Sequence, residues 1–301
     1  MRIIRYRSAN KTYLGTLEGE TVTPLRQEDG EPFTNFISLI RKAHGKGSSL
    51  KEYLQGRIKS GGAKVERFTF KDLYEAKRGG LRLLSPLDPP EAWGCGVTYR
   101  RSVEAREFET KTKGVYDLLY EAERPGIFFK GTPRNCAGPN HVICVRGDSK
   151  WTVPESELTF ITGMEEEIVG FTAGNDVSSR DIEGQNPLYN PPAKIYNCSC
   201  SLGPSIVTAD EVGSEPKLGI ELKIHRAGSL IFQGSTHTSK MKRNMEELRS
   251  YLCRYNSVPV GTACLTGTGI VPPDDFSLMD KDVVEITIEK IGTLRNPVKQ
   301  L

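Results

Sequence analysis

Hydrophobic positions fall in short runs along most of the chain. Strand-like segments recur at IFFK (127–130), HVICV (141–145), ELTFI (157–161), EIVGFTAG (167–174), GPSIVTA (203–209), KLGIELKIH (217–225), SLIFQGS (229–235) and VVEITI (283–288). Glycine, proline and Asp/Asn clusters separate them, which is the punctuation of a β-rich domain. Two helices interrupt the pattern. MKRNMEELRSYLCRY (241–255) sets Met245, Leu248, Leu252 and Cys253 on one face, an amphipathic packing helix. Residues 100–123 are dense in charge with few apolar positions, which predicts an exposed, mobile helical cover. Upstream, MRIIRYRS and KTYLGTLEGETVTPL predict short strands with turns at Ala9–Lys11 and Glu18–Glu20. Phe36, Ile37, Leu39 and Ile40 predict a helix that stops before Gly45, and GKGSS and KSGGAK read as loops. LSPLDPPEAWG (84–94) holds three prolines, which favour extended backbone and break helices. The expected organisation is a small N-terminal α/β domain, 1–84, followed by a β-rich domain, 85–301.

Charge narrows the functional classes. The 301-residue chain carries a net charge of +3 with both signs interleaved, and its basic groupings are short, such as KMKR at 240–243. A nucleic-acid partner calls for a concentrated basic stripe, so none is expected. No stretch approaches the roughly 18 apolar residues of a membrane span, and MRIIRYRSANKTYLG lacks the apolar core and small-residue cleavage site of a secretory signal. The expectation is a cytoplasmic protein without a membrane partner. Seven cysteines at irregular spacing (95, 136, 144, 198, 200, 253 and 264) read as reduced thiols. Cys198 and Cys200, if both lie in a strand, point to one side as small core residues.

The chemistry concentrates in VPESEL (153–158). In a strand Glu155 and Glu157 face the same way, roughly 7 Å apart along the backbone. Two like charges so close need a cation between them or water around both. GFTAGNDVSSRD (170–181) follows after a turn, and if the two strands are neighbours Asp176 approaches both glutamates. Three carboxylates suit a hard divalent cation, Mg²⁺ above all. Spacing alone fits a solvated strand face equally, with Asp176 capping the helix that SSRD begins. Arg180 forks onto a carboxylate or pairs with Asp181 or Glu183. Lys194 lies between three prolines and an apolar strand; it is a surface lysine, or a base whose pKa is depressed beside a metal. TGTGIVPPDD (266–275) is a turn rich in hydroxyl groups, of the kind that hydrogen-bonds carboxylates.

VPESEL, GFTAGNDVSSRD, a lysine at 194 and TGT at 266–268, in that order, resemble the fumarylacetoacetate hydrolase family. PLDPPEAWGCGVTYRRSVEAR, VYDLLYEAERPGIFFKGTP, RGDSKWTVPESEL, SSRDIEGQNPLYNPPAKIY and DVVEITIEKIGTLRNPVK are similar to the branch of that family that dehydrates 2-keto-3-deoxy sugar acids. The resemblance covers residues 84–299 well and the first 84 loosely. It implies an α+β, β-rich fold, with a mixed β-sandwich roll as the catalytic domain. It implies Mg²⁺, or Ca²⁺ or Mn²⁺ in its place, on Glu155, Glu157 and Asp176, and a 2-oxo acid as the small-molecule substrate. Lys194 would sit at the acidic carbon with Arg180 beside it, while Lys130, Gly267 and Thr268 match substrate-binding positions. A homodimer or homotetramer is implied as well. The implied reaction is Mg²⁺-dependent conversion of 2-keto-3-deoxy-arabinonate to 2,5-dioxopentanoate. Hydrolases of the family carry a histidine after a Gly-x-x-Tyr turn; here the turn is GVTYRRS and Ser102 takes that place, which disfavours hydrolysis or decarboxylation of another 2-oxo acid or an acylpyruvate. The branch also carries a glutamate where this chain has Gly126, and an acid where it has Gln185. Glu183 or Glu123 then replaces the missing acid, the substrate differs, or the protein binds without turnover.

Overall fold

The computed structural model describes residues 1–60, 68–76, 80–110 and 114–301. Its largest sheet has twelve strands, ten of them in the order Phe68–Thr69, Thr21–Pro24, Lys11–Glu18, Arg2–Ser8, Cys200–Thr208, Ile168–Asp176, Ser156–Thr162, Ala263–Leu265, Ala92–Gly96 and Gly126–Gly131, with Arg82–Leu84 beside Arg2–Ser8 and Cys136–Ala137 beside Cys200–Thr208. A second sheet of five strands runs Ser229–His237, Gly219–Arg226, Val283–Ile288, Gly292–Gln300 and Ile143–Val145. Most pairs are antiparallel, but Ala263–Leu265 pairs in parallel with Ala92–Gly96, and Gly292–Gln300 with Ile143–Val145. The sheets are therefore mixed.

Alternation explains how the sheets pack. Ile220, Leu222 and Ile224 are buried on one face of their strand while Glu221 and Lys223 reach the surface. Val284, Ile286 and Ile288 repeat this on the next strand. These side chains meet Leu158, Phe160, Phe171, Ala173 and Val207 of the large sheet in one apolar core, as two packed layers require. The amphipathic helix forms at Met245–Cys253, with Met245, Leu248 and Leu252 buried in that core and Cys253 at its margin. The strand-rich architecture inferred from the sequence is the one observed.

Residues 1–84 add to the same sheet. Arg2 and Ile3 pair with Val207 and Ile206, and Ile3, Leu14, Phe36 and Leu39 share a core with Leu202, Ile206, Ala263 and Leu265. The turn at Ala9 and Asn10 has both residues at positive φ, 45° and 65°, the backbone of a tight hairpin. The first helix extends to Gly45, one residue past its predicted stop, with Asn35 capping its start. A second helix, Leu50–Ser60, was not foreseen; its final residues begin the predicted KSGGAK loop, and that loop from 61 onward lies outside the described residues.

Two other expectations change. The helical cover is two helices, Arg100–Thr110 and Val115–Glu121, with Gly114 in a left-handed conformation before the second; residues 111–113 lie outside the described residues. The first is anchored, since Ser102, Val103 and Ala105 are buried, while the second buries no side chain. Cys198 and Cys200 do not share a strand face. Cys198 has φ 53° and precedes the strand that opens at Cys200. Its thiol lies beside Cys144, whereas Cys200 lies beside Cys136.

Candidate metal and active site

The Ser156–Thr162 and Ile168–Asp176 strands are antiparallel neighbours, with Ser156 opposite Asn175 and Glu157 opposite Gly174. The Asp176 amide donates to the Glu155 carbonyl at 3.0 Å, and the Asn175 side chain accepts from the Glu155 amide at 3.2 Å. This register brings the three carboxylates together: one oxygen each of Glu155, Glu157 and Asp176 lies within 4.8 Å of the others. All three are at most 4% exposed, which rules out the solvated strand face. Asp176 caps no helix, because its side chain is held by lysines instead.

Three cations surround the carboxylates. Lys194 Nζ donates to Glu155 Oε2 and Asp176 Oδ2, both at 2.9 Å, and to Ser178 Oγ at 2.6 Å. Lys130 Nζ lies 2.5 Å from Asp176 Oδ1 and also donates to the carbonyls of Val177 and Lys194. Arg180 Nη2 lies 3.0 Å from Glu155 Oε1. Lys194 and Arg180 are thus both buried and turned inward, neither on the surface nor paired first with Asp181. Local structure delivers each group. Thr152–Val153 pairs with Ser178–Ser179, and the Arg180 amide donates to the Trp151 carbonyl at 2.7 Å, which locks the start of helix Arg180–Gln185 beside VPESEL. Lys194 closes helix Asn190–Lys194, whose Pro191 and Pro192 occupy a first turn where no amide hydrogen bond is lost.

Glu157 is held differently. Its Oε2 accepts from the Gly267 amide at 2.5 Å. Burial, then the neighbouring Asp176 and Glu155 charges, push its carboxyl well above the usual range. Burial acts in the same direction on Asp176, but Lys130 and Lys194 outweigh it and hold that carboxyl below its ordinary value. Gly267 has φ +95°, and a β-carbon there would lie 2.0 Å from Thr98 Oγ1. The position requires glycine so that its amide can approach Glu157. Thr98 and Ser102 steady the same loop, donating to the carbonyls of Thr266 and Thr268 at 2.7 and 2.5 Å.

Glu155, Asp176, Arg180, Lys194, Gly267 and Thr268 share a cavity of about 230 Å³. Tyr116, Leu119, Gly126 and Phe128 add to its lining. Lys130 is fully buried behind the wall, so it orients Asp176 rather than reaching the cavity. Ser178 was missed in the sequence, although a strand places it on the same side as Asp176, two residues earlier. Asn190 and Tyr116 on the cavity wall were also missed, although both lie in segments that carry the family resemblance. The donor set fits a hard cation: three oxygen ligands converge, and among the described residues Glu157 makes no ion pair with a lysine or arginine, unlike Glu155 and Asp176.

Comparison with known proteins agrees with this geometry. Residues 92–299 match the profile described as "Fumarylacetoacetate (FAA) hydrolase C-terminal", and residues 1–37 the profile described as "Rv2993c-like, N-terminal". The chain is 48% identical over 224 residues to the 2-dehydro-3-deoxy-D-arabinonate dehydratase of Saccharolobus solfataricus, covering 73% of this chain and 75% of that one. It is 49% identical over 213 residues to a probable 2-keto-3-deoxyxylonate dehydratase of Haloferax volcanii, covering 71% and 73%. Among solved structures, 2-keto-3-deoxy-D-arabinonate dehydratase complexed with magnesium and 2,5-dioxopentanoate superposes with a TM-score of 0.82 at 37% identity, covering 100% of this chain and 99% of the other. On the strand order, the convergent carboxylates and these matches together, the chain belongs to the fumarylacetoacetate hydrolase family.

Proposed function

We propose that this protein is a Mg²⁺-dependent hydro-lyase that converts 2-keto-3-deoxy-arabinonate, or a close 2-keto-3-deoxy sugar acid, into 2,5-dioxopentanoate. The observation that carries the reading is the position of Lys194 Nζ on the cavity wall, 2.9 Å from two members of a buried carboxylate triad. Glu155, Glu157 and Asp176 would hold the cation, which when bound would polarise the ketone and acidify the C3 hydrogens. Lys194, in its neutral form, takes a C3 proton. Arg180 fixes Glu155 and presents positive charge to the substrate carboxylate. Gly267 and Thr268 supply the loop against which that carboxylate rests. The electron pair released at C3 expels the C4 hydroxyl, and tautomerisation gives the 5-aldehyde.

Hydrolysis is disfavoured, because the Ser102 hydroxyl is committed to the Thr268 carbonyl and is no base for water. A second reading, a protein that binds a 2-oxo acid without turnover, draws on Gly126, which gives the cavity only backbone. A cytoplasmic homodimer or homotetramer belongs to the main reading. Seven unpaired cysteines support a reducing compartment, and Leu230 and Ile231 exposed on the outer strand of the five-stranded sheet support self-association. No helix of the described residues is long and apolar enough to cross a membrane. The test is a proton NMR time course in D₂O with Mg²⁺ and 2-keto-3-deoxy-arabinonate, which reads C3 deuteration and the C5 aldehyde separately. The aldehyde signal is expected; C3 exchange without aldehyde would support binding without turnover, and neither signal would remove this substrate.

A further inference from the structure

We infer that Glu183 is the catalytic acid that protonates the departing C4 hydroxyl; the inference rests on the dehydratase reading above. Expelling hydroxide from carbon requires a proton donor on the cavity wall, and the wall restricts the choice. Glu155 and Asp176 are occupied by lysines and belong to the cation site. Lys194 takes a proton in this reaction, and a guanidinium such as Arg180 does not give one up. The Ser102 hydroxyl already donates to a carbonyl. Tyr116 offers a phenol, with an ordinary pKa of about 10 against about 4.3 for a glutamate, a far weaker acid. Glu183 is the carboxyl that remains.

Its geometry is specific. Glu183 follows Arg180 by three positions in helix Arg180–Gln185, so both project from one face, and that face lines the cavity. Asp181, on the same helix, points elsewhere: it accepts from Ser149 Oγ at 2.6 Å and from the Lys150 amide at 2.8 Å. Asn190, itself on the cavity wall, donates to Glu183 Oε1 at 3.4 Å. Glu123, the other sequence candidate, is exposed, accepts from Tyr251 Oη at 3.3 Å and lies off the cavity wall.

The step balances. Lys194 removes one C3 proton, the C3–H pair becomes the C3–C4 double bond, and the C4–O bond breaks. Glu183 must enter the step as the protonated carboxyl; the departing oxygen takes that proton and leaves as water. Lys194 and Glu183 return to their starting states by proton exchange with solvent.

The experiment compares the wild type with Glu183→Gln and Glu183→Asp in the D₂O time course, with Mg²⁺ affinity and thermal unfolding measured alongside. Glu183→Gln is expected to lower aldehyde formation about 10²–10⁴-fold, while C3 deuteration and Mg²⁺ affinity stay near wild type; Glu183→Asp should recover part of the loss. Aldehyde formation by Glu183→Gln within threefold of wild type would overturn the assignment. So would equal loss of C3 exchange and aldehyde in a folded, Mg²⁺-binding variant, since that places Glu183 before proton abstraction. A wild type that makes no aldehyde overturns the dehydratase reading and withdraws this assignment with it.

Discussion

The two walls of the cavity are built to opposite standards. The strand wall, which two short helices complete with Arg180 and Lys194, holds Glu155, Asp176, Arg180 and Lys194 at no more than 4% exposure, each tied to several partners. The helical wall takes Tyr116 and Leu119 from Val115–Glu121, which buries no side chain and leaves Leu118 73% exposed. Charges in a low-dielectric interior are costly unless geometry and partners are nearly complete, so the strand wall must be rigid. Of the elements that line the cavity, the sparsely packed helix Val115–Glu121 is the one whose opening costs least. Fixed charge and access are therefore separated between tightly and loosely packed elements.

Breaking the strand wall should have the largest effect. Glu155→Ala leaves Arg180 and Lys194 buried without a shared anion, so stability should fall by about 3–5 kcal/mol and Mg²⁺ binding should be lost. Calorimetric Mg²⁺ titration with denaturant unfolding reads both; unchanged Mg²⁺ affinity would refute the site. Lys194→Met should remove aldehyde formation and C3 exchange together, by about 10²–10⁴-fold. Surviving exchange in that variant would mean another group takes the C3 proton.

Smaller changes sharpen the contrast. Gly267→Ala forces a β-carbon into Thr98 at a left-handed backbone position, at a cost of roughly 1–3 kcal/mol. It should also move the amide from Glu157 and weaken Mg²⁺ binding, as titration would show. Because Glu157 holds its proton above the usual range and cation ligands must be deprotonated, Mg²⁺ affinity should climb as pH rises through that raised value, with proton release detectable by titration in buffers of different ionisation enthalpy. In metal-free protein the same group favours the folded state at low pH, and that contribution is lost as pH rises through the raised value; a pH-independent affinity would show Glu157 already ionised. On the helical wall, Leu118→Ser should change stability by less than about 0.5 kcal/mol and leave turnover unaltered. A large loss there would show that the helix is as tightly built as the strands.

Much of the site was legible because strands have a strict period. Glu155 and Glu157 on one face, a turn, then Asp176 is a pattern that converges whenever the two strands pair, and they do. Lys130 was legible as a site residue but not in its role, since a motif position does not say whether a side chain stands on a wall or behind it. The break at Gly114 and the helix Leu50–Ser60 escaped because charge-rich segments carry little periodicity, and Cys198 escaped because a positive φ takes it out of strand alternation.

The sequence alone determined the β-rich layering and the three carboxylates, because both follow from local alternation of side chains along a strand. It did not decide what neutralises those carboxylates. Lys130, Lys194 and Arg180 come from a strand, a short helix and another helix, and nothing in their spacing requires them to meet. Pairing of Arg2–Ser8 with the Cys200–Thr208 strand and the placement of Glu183 rather than Glu123 on the cavity wall were likewise set by tertiary packing. Long-range packing fixes which distant groups share a buried, poorly screened space, and in that space distance sets the strength of every charge interaction.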